Sequence, residues 1–235
     1  MDNLHIDTHW EYLYSQGKNL NKYPYGELVS VFSNSLQYMD NRPNSILEVG
    51  CGAGNNLWFL GECGFNVFGI DCSKTAVEKA KQACQLRGVD AHIRHAYFEC
   101  LPFDDSSMDM VIDRESLAHG TTDAIEKSLQ EVKRVLRPGG MFITFRFNDK
   151  NTTLELLKNG VIFGVKIEDN TYTNISKGTF HGAGVVNFTT LDKLKEQHRY
   201  LNIKFINEHS SKTIQVSSGN KDLFYSEYIL VGIKK

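Results

Sequence analysis

No stretch of this chain approaches the roughly 18 uncharged apolar residues of a membrane-spanning helix. The opening segment MDNLHIDTHWEYLYSQGK is polar and acidic, without the basic region and apolar core of a secretory leader. A cytoplasmic protein with no membrane partner is therefore expected. Charge of one sign is also lacking: 26 Lys and Arg stand against 28 Asp and Glu, a net of −2, so no strong field draws in polyanions and no nucleic-acid partner is expected. Cysteines are few and badly spaced for a metal. The five, at 51, 63, 72, 84 and 100, are odd in number and never form the close pairs of a zinc site, so reduced thiols packed as small hydrophobes are expected and no metal. There is no internal repeat and no low-complexity segment. With 235 residues and 41% hydrophobic content the chain can bury one sizeable core, and a single domain covering 1–235 is expected. Nothing in the sequence fixes an oligomeric state.

What is present is alternation. SILEVG (45–50) reads as a buried strand followed by a helix in NNLWFLGECG, and NVFGID (66–71) as the next strand. SKTAVEKAKQACQLRG then places Ala76, Val77, Ala80, Ala83 and Cys84 on one helical face, with Ser73 as N-cap and Gly88 as stop. AHIRHAY (91–97) and MDMVID (108–113) are the third and fourth strands. In TTDAIEKSLQEVKRVLRPGG, Ile125, Leu129, Val132 and Leu136 share a face, Asp123 with Glu126 can form a capping box, and RPGG ends the helix before a fifth strand, MFITFRF (141–147). Such alternation implies an α/β fold, a parallel sheet covered on both faces with ligands at the carboxyl ends of its strands. Residues 150–188 are polar and glycine-rich with no period; beyond them TTLDKLKEQHRY reads as a helix, and NIKFINEHSS and EYILVGIKK as two strands that pair antiparallel at a sheet edge.

In ILEVGCGAGNN (46–56) an apolar run carrying one acid, Glu48, breaks into Gly50, Gly52 and Gly54. Closely spaced glycines between a strand and a helix admit a ligand to the backbone, where helix N–H groups favour an anionic group; a tight turn with no ligand is the other reading. The dinucleotide pattern G-x-G-x-x-G would need glycine at 55, where the chain has Asn55. A nicotinamide oxidoreductase is therefore disfavoured.

ILEVGCGAGNN, FGIDCS, LPFDDSSMDMVID and VLRPGGMFITF occur in the order and spacing of class I S-adenosylmethionine-dependent methyltransferases, and over 46–147 the chain resembles that family. The resemblance implies a Rossmann-like three-layer sandwich, a mostly parallel seven-stranded sheet with an antiparallel C-terminal pair. Its parts would be an N-terminal helical cap (1–41), a cofactor-binding core (42–148), a lid or insertion (149–188) and a C-terminal helix with strands (189–235). It implies S-adenosylmethionine as cofactor, S-adenosylhomocysteine as product and a small-molecule acceptor. The [DN]-P-P-[YFW] and Pro-Cys patterns of nucleic-acid methyltransferases are missing, and oxygen is slightly favoured over nitrogen because nothing marks an amine site. A non-catalytic protein that binds the cofactor is the rival reading.

Carried over position by position, the resemblance passes the loop Gly50, Cys51, Gly52 and Gly54 under the cofactor. Asp71 would accept hydrogen bonds from the ribose hydroxyls, and Glu48, a charge in an apolar strand, would pair with the methionyl ammonium or hold the loop. Where the family commonly has an acid the chain has Tyr97; backbone groups of Tyr97 and Phe98, with Cys72, could frame the adenine, and core packing of Phe98 is equally open. Asp113 and Arg114 resemble cofactor-flanking positions. His119 is the candidate base, with packing or solvation as its alternative. Trp10, Tyr12, Tyr14 and Tyr25, and Phe180 with His181 in a glycine-rich loop, are candidate substrate contacts, unless they anchor a helix and a surface loop.

Overall fold

The structure, a computed structural model, describes residues 4–213 and 223–235. Residues 1–3 of the expected cap and 214–222 of the expected link between the late strands lie outside them. In chain order the elements are α1 (Leu4–Ser15), α2 (Gly26–Ser35) with a 3₁₀ turn Leu36–Tyr38, β1 (Ser45–Val49), α3 (Asn55–Glu62), β2 (Asn66–Asp71), α4 (Lys74–Leu86), β3 (Ala91–His95) and β4 (Met108–Arg114). A second 3₁₀ turn, Leu117–His119, leads to α5 (Thr122–Val135), β5 (Leu136–Phe147) and α6 (Thr152–Lys158). Then come β6 (Val165–Glu168), β7 (Thr171–Thr173), β8 (Val186–Asn187), α7 (Leu191–Gln197), β9 (Leu201–Thr213) and β10 (Leu223–Lys234).

Seven strands form one sheet in the order β3-β2-β1-β4-β5-β10-β9. The first five pair in parallel, and β10 runs antiparallel to both β5 and β9. Side chains alternate across a strand, and each central strand is apolar on both faces. Ile46, Met110, Ile112, Ile143 and Val231 pack under α2, α3 and α4, while Leu47, Val111, Phe142 and Leu230 pack under α5 and α7. This is the expected Rossmann-like three-layer sandwich. From β1 the chain winds outward to β2 and β3 on one side and returns to β4 and β5 on the other, which opens a crevice at the carboxyl ends of β1 and β4.

Several local expectations need correction. Thr121, not Asp123, caps α5, its hydroxyl accepting from the Ala124 N–H; Asp123 instead pairs with Lys127. The segment RPGG is already strand, because β5 begins at Leu136, opposite Met108. Residues 150–188, aperiodic in sequence, hold α6 and a small sheet β6-β7-β8 over a third apolar cluster with Phe147, Phe180 and Phe188. Of the thiols, Cys51 and Cys84 are buried as expected, but Cys63 and Cys100 are exposed. Among the described residues no helix is long and apolar enough to cross a membrane.

Candidate functional site

A cavity of about 720 Å³ occupies the crevice, within the range of small-ligand sites. Its floor is the loop after β1. Gly50, Gly52 and Gly54 all have left-handed φ, at 69°, 53° and 83°, where an L side chain is strained. Each also faces something different. A Cβ on Gly50 would fall 2.1 Å from the Ser116 hydroxyl, and one on Gly52 would fall 2.6 Å from the Tyr14 hydroxyl. One on Gly54 would fall 2.9 Å from the Cα of Ala80. Gly54 is thus a packing glycine between the loop and α4, and it is not on the cavity wall, contrary to its expected cofactor contact. Gly50, Cys51 and Gly52 do line the cavity.

Two acids meet at this floor. Asp71, at the end of β2, accepts from the Gly52 N–H at 2.9 Å and the Ser73 N–H at 2.9 Å, so it fixes the loop while still facing the cavity. Burial outweighs those bonds and pushes its carboxyl up to about 6. Glu48 is 1% exposed; Oε1 accepts from Asn56 at 2.6 Å, and Oε2 has no partner among the described residues. Desolvation pushes it up to about 8. A third acid, Asp113, was expected beside the cofactor and is not on the wall. It is fully buried, with its oxygens taken by the Thr144 hydroxyl at 2.6 Å and the Leu117 N–H at 3.0 Å, so it anchors the turn after β4. Cys72, Tyr97 and Phe98 line the side next to β2, Tyr97 being 40% exposed with its ring edge-on to His95.

Helix α1 forms the roof. Glu11 ties it to the start of α4 through the hydroxyls of Ser73 at 2.7 Å and Thr75 at 2.5 Å, and His9 bonds the Gly182 carbonyl at 3.0 Å. Trp10, Tyr12, Tyr14 and Tyr25 all reach the cavity, as do Phe180 and His181. Phe180 also packs in the third apolar cluster, which anchors its loop. His119 stands between Trp10 at 4.8 Å and Phe147 at 5.5 Å, both edge-on. Its Nδ1 lies 2.8 Å from the Val185 carbonyl, an acceptor only, so Nδ1 carries a proton; desolvation lowers the ring's pKa, outweighing the opposite pull of that bond.

Residue choice from sequence passed over the neighbour of Arg114. Glu115 has a left-handed φ of 63°, which turns its carboxylate back from the end of β4 into the cavity. Arg114 Nη1 lies 2.5 Å from Glu115 Oε1 and 3.6 Å from Glu227 Oε2, with its guanidinium over the rings of Tyr25 and Phe145. Arg114 was expected to flank the cofactor; it lines the cavity, but its charge is committed to these acids. The Tyr225 hydroxyl donates to Glu115 and reaches Glu227 Oε2 at 3.2 Å. Burial, with the neighbouring Glu227 charge and against the pull of Arg114, pushes the Glu115 carboxyl up to about 7. The only sequence signal was an acid directly after a strand end; its partners come from β10, about 110 residues away.

Residues 46–140 match the family described as a methyltransferase domain. The uncharacterized methyltransferase YodH of Bacillus subtilis is 35% identical over 42% of this chain and 41% of its own. The chain spans about half or less of the length of the first curated relatives it matches, down to 33% for squalene methyltransferase 1 of Botryococcus braunii. An S-adenosylmethionine-dependent methyltransferase of Methanosarcina mazei superposes with a TM-score of 0.70 at 20% identity, covering 90% of this chain and 98% of that one. The 1,6-didemethyltoxoflavin-N1-methyltransferase of Burkholderia thailandensis, solved with that compound and S-adenosylhomocysteine, gives 0.69 at 17% identity over 99% and 88%. At such identities the likeness to the solved structures is one of fold.

Proposed function

We propose that the chain, whose residues 46–140 match the methyltransferase-domain family, transfers a methyl group from S-adenosylmethionine to a small-molecule acceptor. One observation carries the reading: a buried carboxylate, Glu48, with an unpartnered Oε2 beside a cavity floor of bare backbone. Such a group calls for a cationic partner, and the cofactor's ammonium supplies one where the glycine loop leaves room for its chain. Asp71 retains free lone pairs toward the cavity for the ribose hydroxyls. When bound, the cofactor supplies an electrophilic methyl group on a sulfonium sulfur. The protein's own share is positional: Gly50 to Gly52 and Asp71 set the cofactor's place, and the α1 roof with Trp10 and Tyr14 excludes water from the transfer. The acceptor is expected to enter between α1 and the 179–183 loop, among Trp10, Phe180 and His181.

The test is calorimetric titration with S-adenosylmethionine, S-adenosylhomocysteine and NAD. Micromolar binding of the first two and none of NAD is expected; the reverse order overturns the reading.

A further inference from the structure

We propose that the acceptor is a basic amine carried on an apolar or aromatic frame, and that Glu115 is its counter-charge inside the cavity. This rests on the transfer reading above and narrows it, reversing the slight preference for oxygen drawn from the sequence. With the nucleoside directed to Asp71 and the amino-acid end to Glu48, the space left for an acceptor is toward β4, β5 and β10. That end is an aromatic cup in which Trp10, His119, Phe147, Phe180 and Tyr225 meet mostly edge to face. Tyr225 delivers Glu115 into it.

Charge selects the ligand. The cavity wall holds four acids, Glu48, Asp71, Glu99 and Glu115, against two cations, Lys18 and Arg114. Lys18 is exposed, and Arg114 is held by Glu115 and Glu227. Desolvation biases His119 toward its neutral form, and its Nδ1 proton is committed to a carbonyl. An anionic acceptor would find no free cation in the cup, and a neutral alcohol would gain only a hydrogen bond to the Glu115 carboxylate. An ammonium finds a carboxylate and ring faces, both of which attract it. In the ligand-free protein burial and Glu227 hold the Glu115 carboxyl up at about 7, beside one guanidinium; a cation at Glu115 favours its ionised form and expels the proton it carries. The groups that face Glu115 are Arg114 beside it on the chain, Tyr225 and Glu227 on β10, His119 on the 3₁₀ turn and Tyr25 before α2, with His209 and Glu27 behind Glu227. Before transfer the bound ammonium returns one proton to the acid pair, which frees its lone pair. The nitrogen–carbon bond then forms as the carbon–sulfur bond breaks, with the bonding electrons left on sulfur.

Calorimetry with phenethylamine, 2-phenylethanol and phenylacetate, on protein saturated with S-adenosylhomocysteine, tests this without any known acceptor. The amine is expected to bind at least about tenfold more tightly than the alcohol at pH 8, and phenylacetate most weakly. Between pH 6 and 8 the amine's affinity should rise, with proton release detected by comparing buffers of different ionisation heat. Glu115→Gln should lose the preference and the proton release while retaining S-adenosylhomocysteine affinity, which also reports its folding. An amine no tighter than the alcohol, or a preference that survives Glu115→Gln, overturns the proposal and leaves the transfer reading standing. Failure of S-adenosylhomocysteine to bind overturns the transfer reading instead; the same order of probes is then expected on the protein alone.

Discussion

The floor of the cavity is assembled from residues 48 to 72, whereas the opposite wall draws Trp10, Glu115, Phe180 and Tyr225 from four distant stretches of chain. On the floor, geometry is fixed by short-range necessity: left-handed glycines, and a carboxylate that bonds the N–H groups of Gly52 and Ser73. On the far wall it is fixed by long-range packing, with β10 returning beside β5 to place Tyr225 and Glu227 against the end of β4. A wall of the first kind can be written into one motif. A wall of the second kind can vary with the ligand while the motif stands.

The largest effect expected from a substitution falls on the first wall. Gly54→Val combines a left-handed φ with a collision against the α4 backbone, which cannot move aside alone. A loss of more than about 3 kcal/mol in urea unfolding is expected. Gly52→Ala should cost only about 1 kcal/mol, because the Tyr14 hydroxyl is the end of a side chain and can swing away, yet the methyl group and the displaced ring should abolish S-adenosylhomocysteine binding. Equal stability losses in the two variants would mean that the loop does not divide into a packing glycine and a ligand-facing one.

The next effect has the opposite sign. Burial raises the Glu48 carboxyl from 4.5 to about 8, so the unfolded chain releases its proton first. Between pH 4.5 and 8 the folded state binds more protons, and the ligand-free protein loses stability as pH rises; the contribution is whole below that window and gone above it. Each tenfold difference in proton affinity between the folded and unfolded chain is worth about 1.4 kcal/mol, so across this window the loss reaches several kcal/mol. Glu48→Gln should therefore be more stable than the parent at pH 8, by thermal unfolding, while S-adenosylhomocysteine affinity falls at least about tenfold with the charge-assisted bond. A variant that gains no stability would show that Oε2 is not held desolvated in the ligand-free protein.

The two walls also differ in how far sequence could read them. β2 begins and ends where its apolar run does, and Ser73 caps α4 as its position suggested, because local pattern suffices there. The motif marks Asp113 and Gly54, but only three-dimensional packing says that the carboxylate faces Thr144 and the glycine faces Ala80. Glu115 was invisible because its direction depends on one backbone angle and its partners on strand order. The small sheet of β6, β7 and β8 has strands of two to four residues, too short for a period of two to register.

The smallest effect expected belongs to His119, the base suggested by sequence. Its ring is wedged between Trp10 and Phe147, and its Nδ1 proton is given to Val185, so its first contribution is to hold the roof and the 179–185 loop against the turn after β4. His119→Ala should cost about 1–3 kcal/mol in unfolding, from the lost ring contacts and an unpaired carbonyl. S-adenosylhomocysteine affinity should stay within about threefold, since none of its expected contacts is removed. The amine should still bind more tightly than the alcohol, because Glu115 supplies the counter-charge. If His119→Ala erased that preference while Glu115→Gln kept it, the selective group of the far wall would be the imidazole, and the acceptor would again be one whose proton a neutral histidine removes.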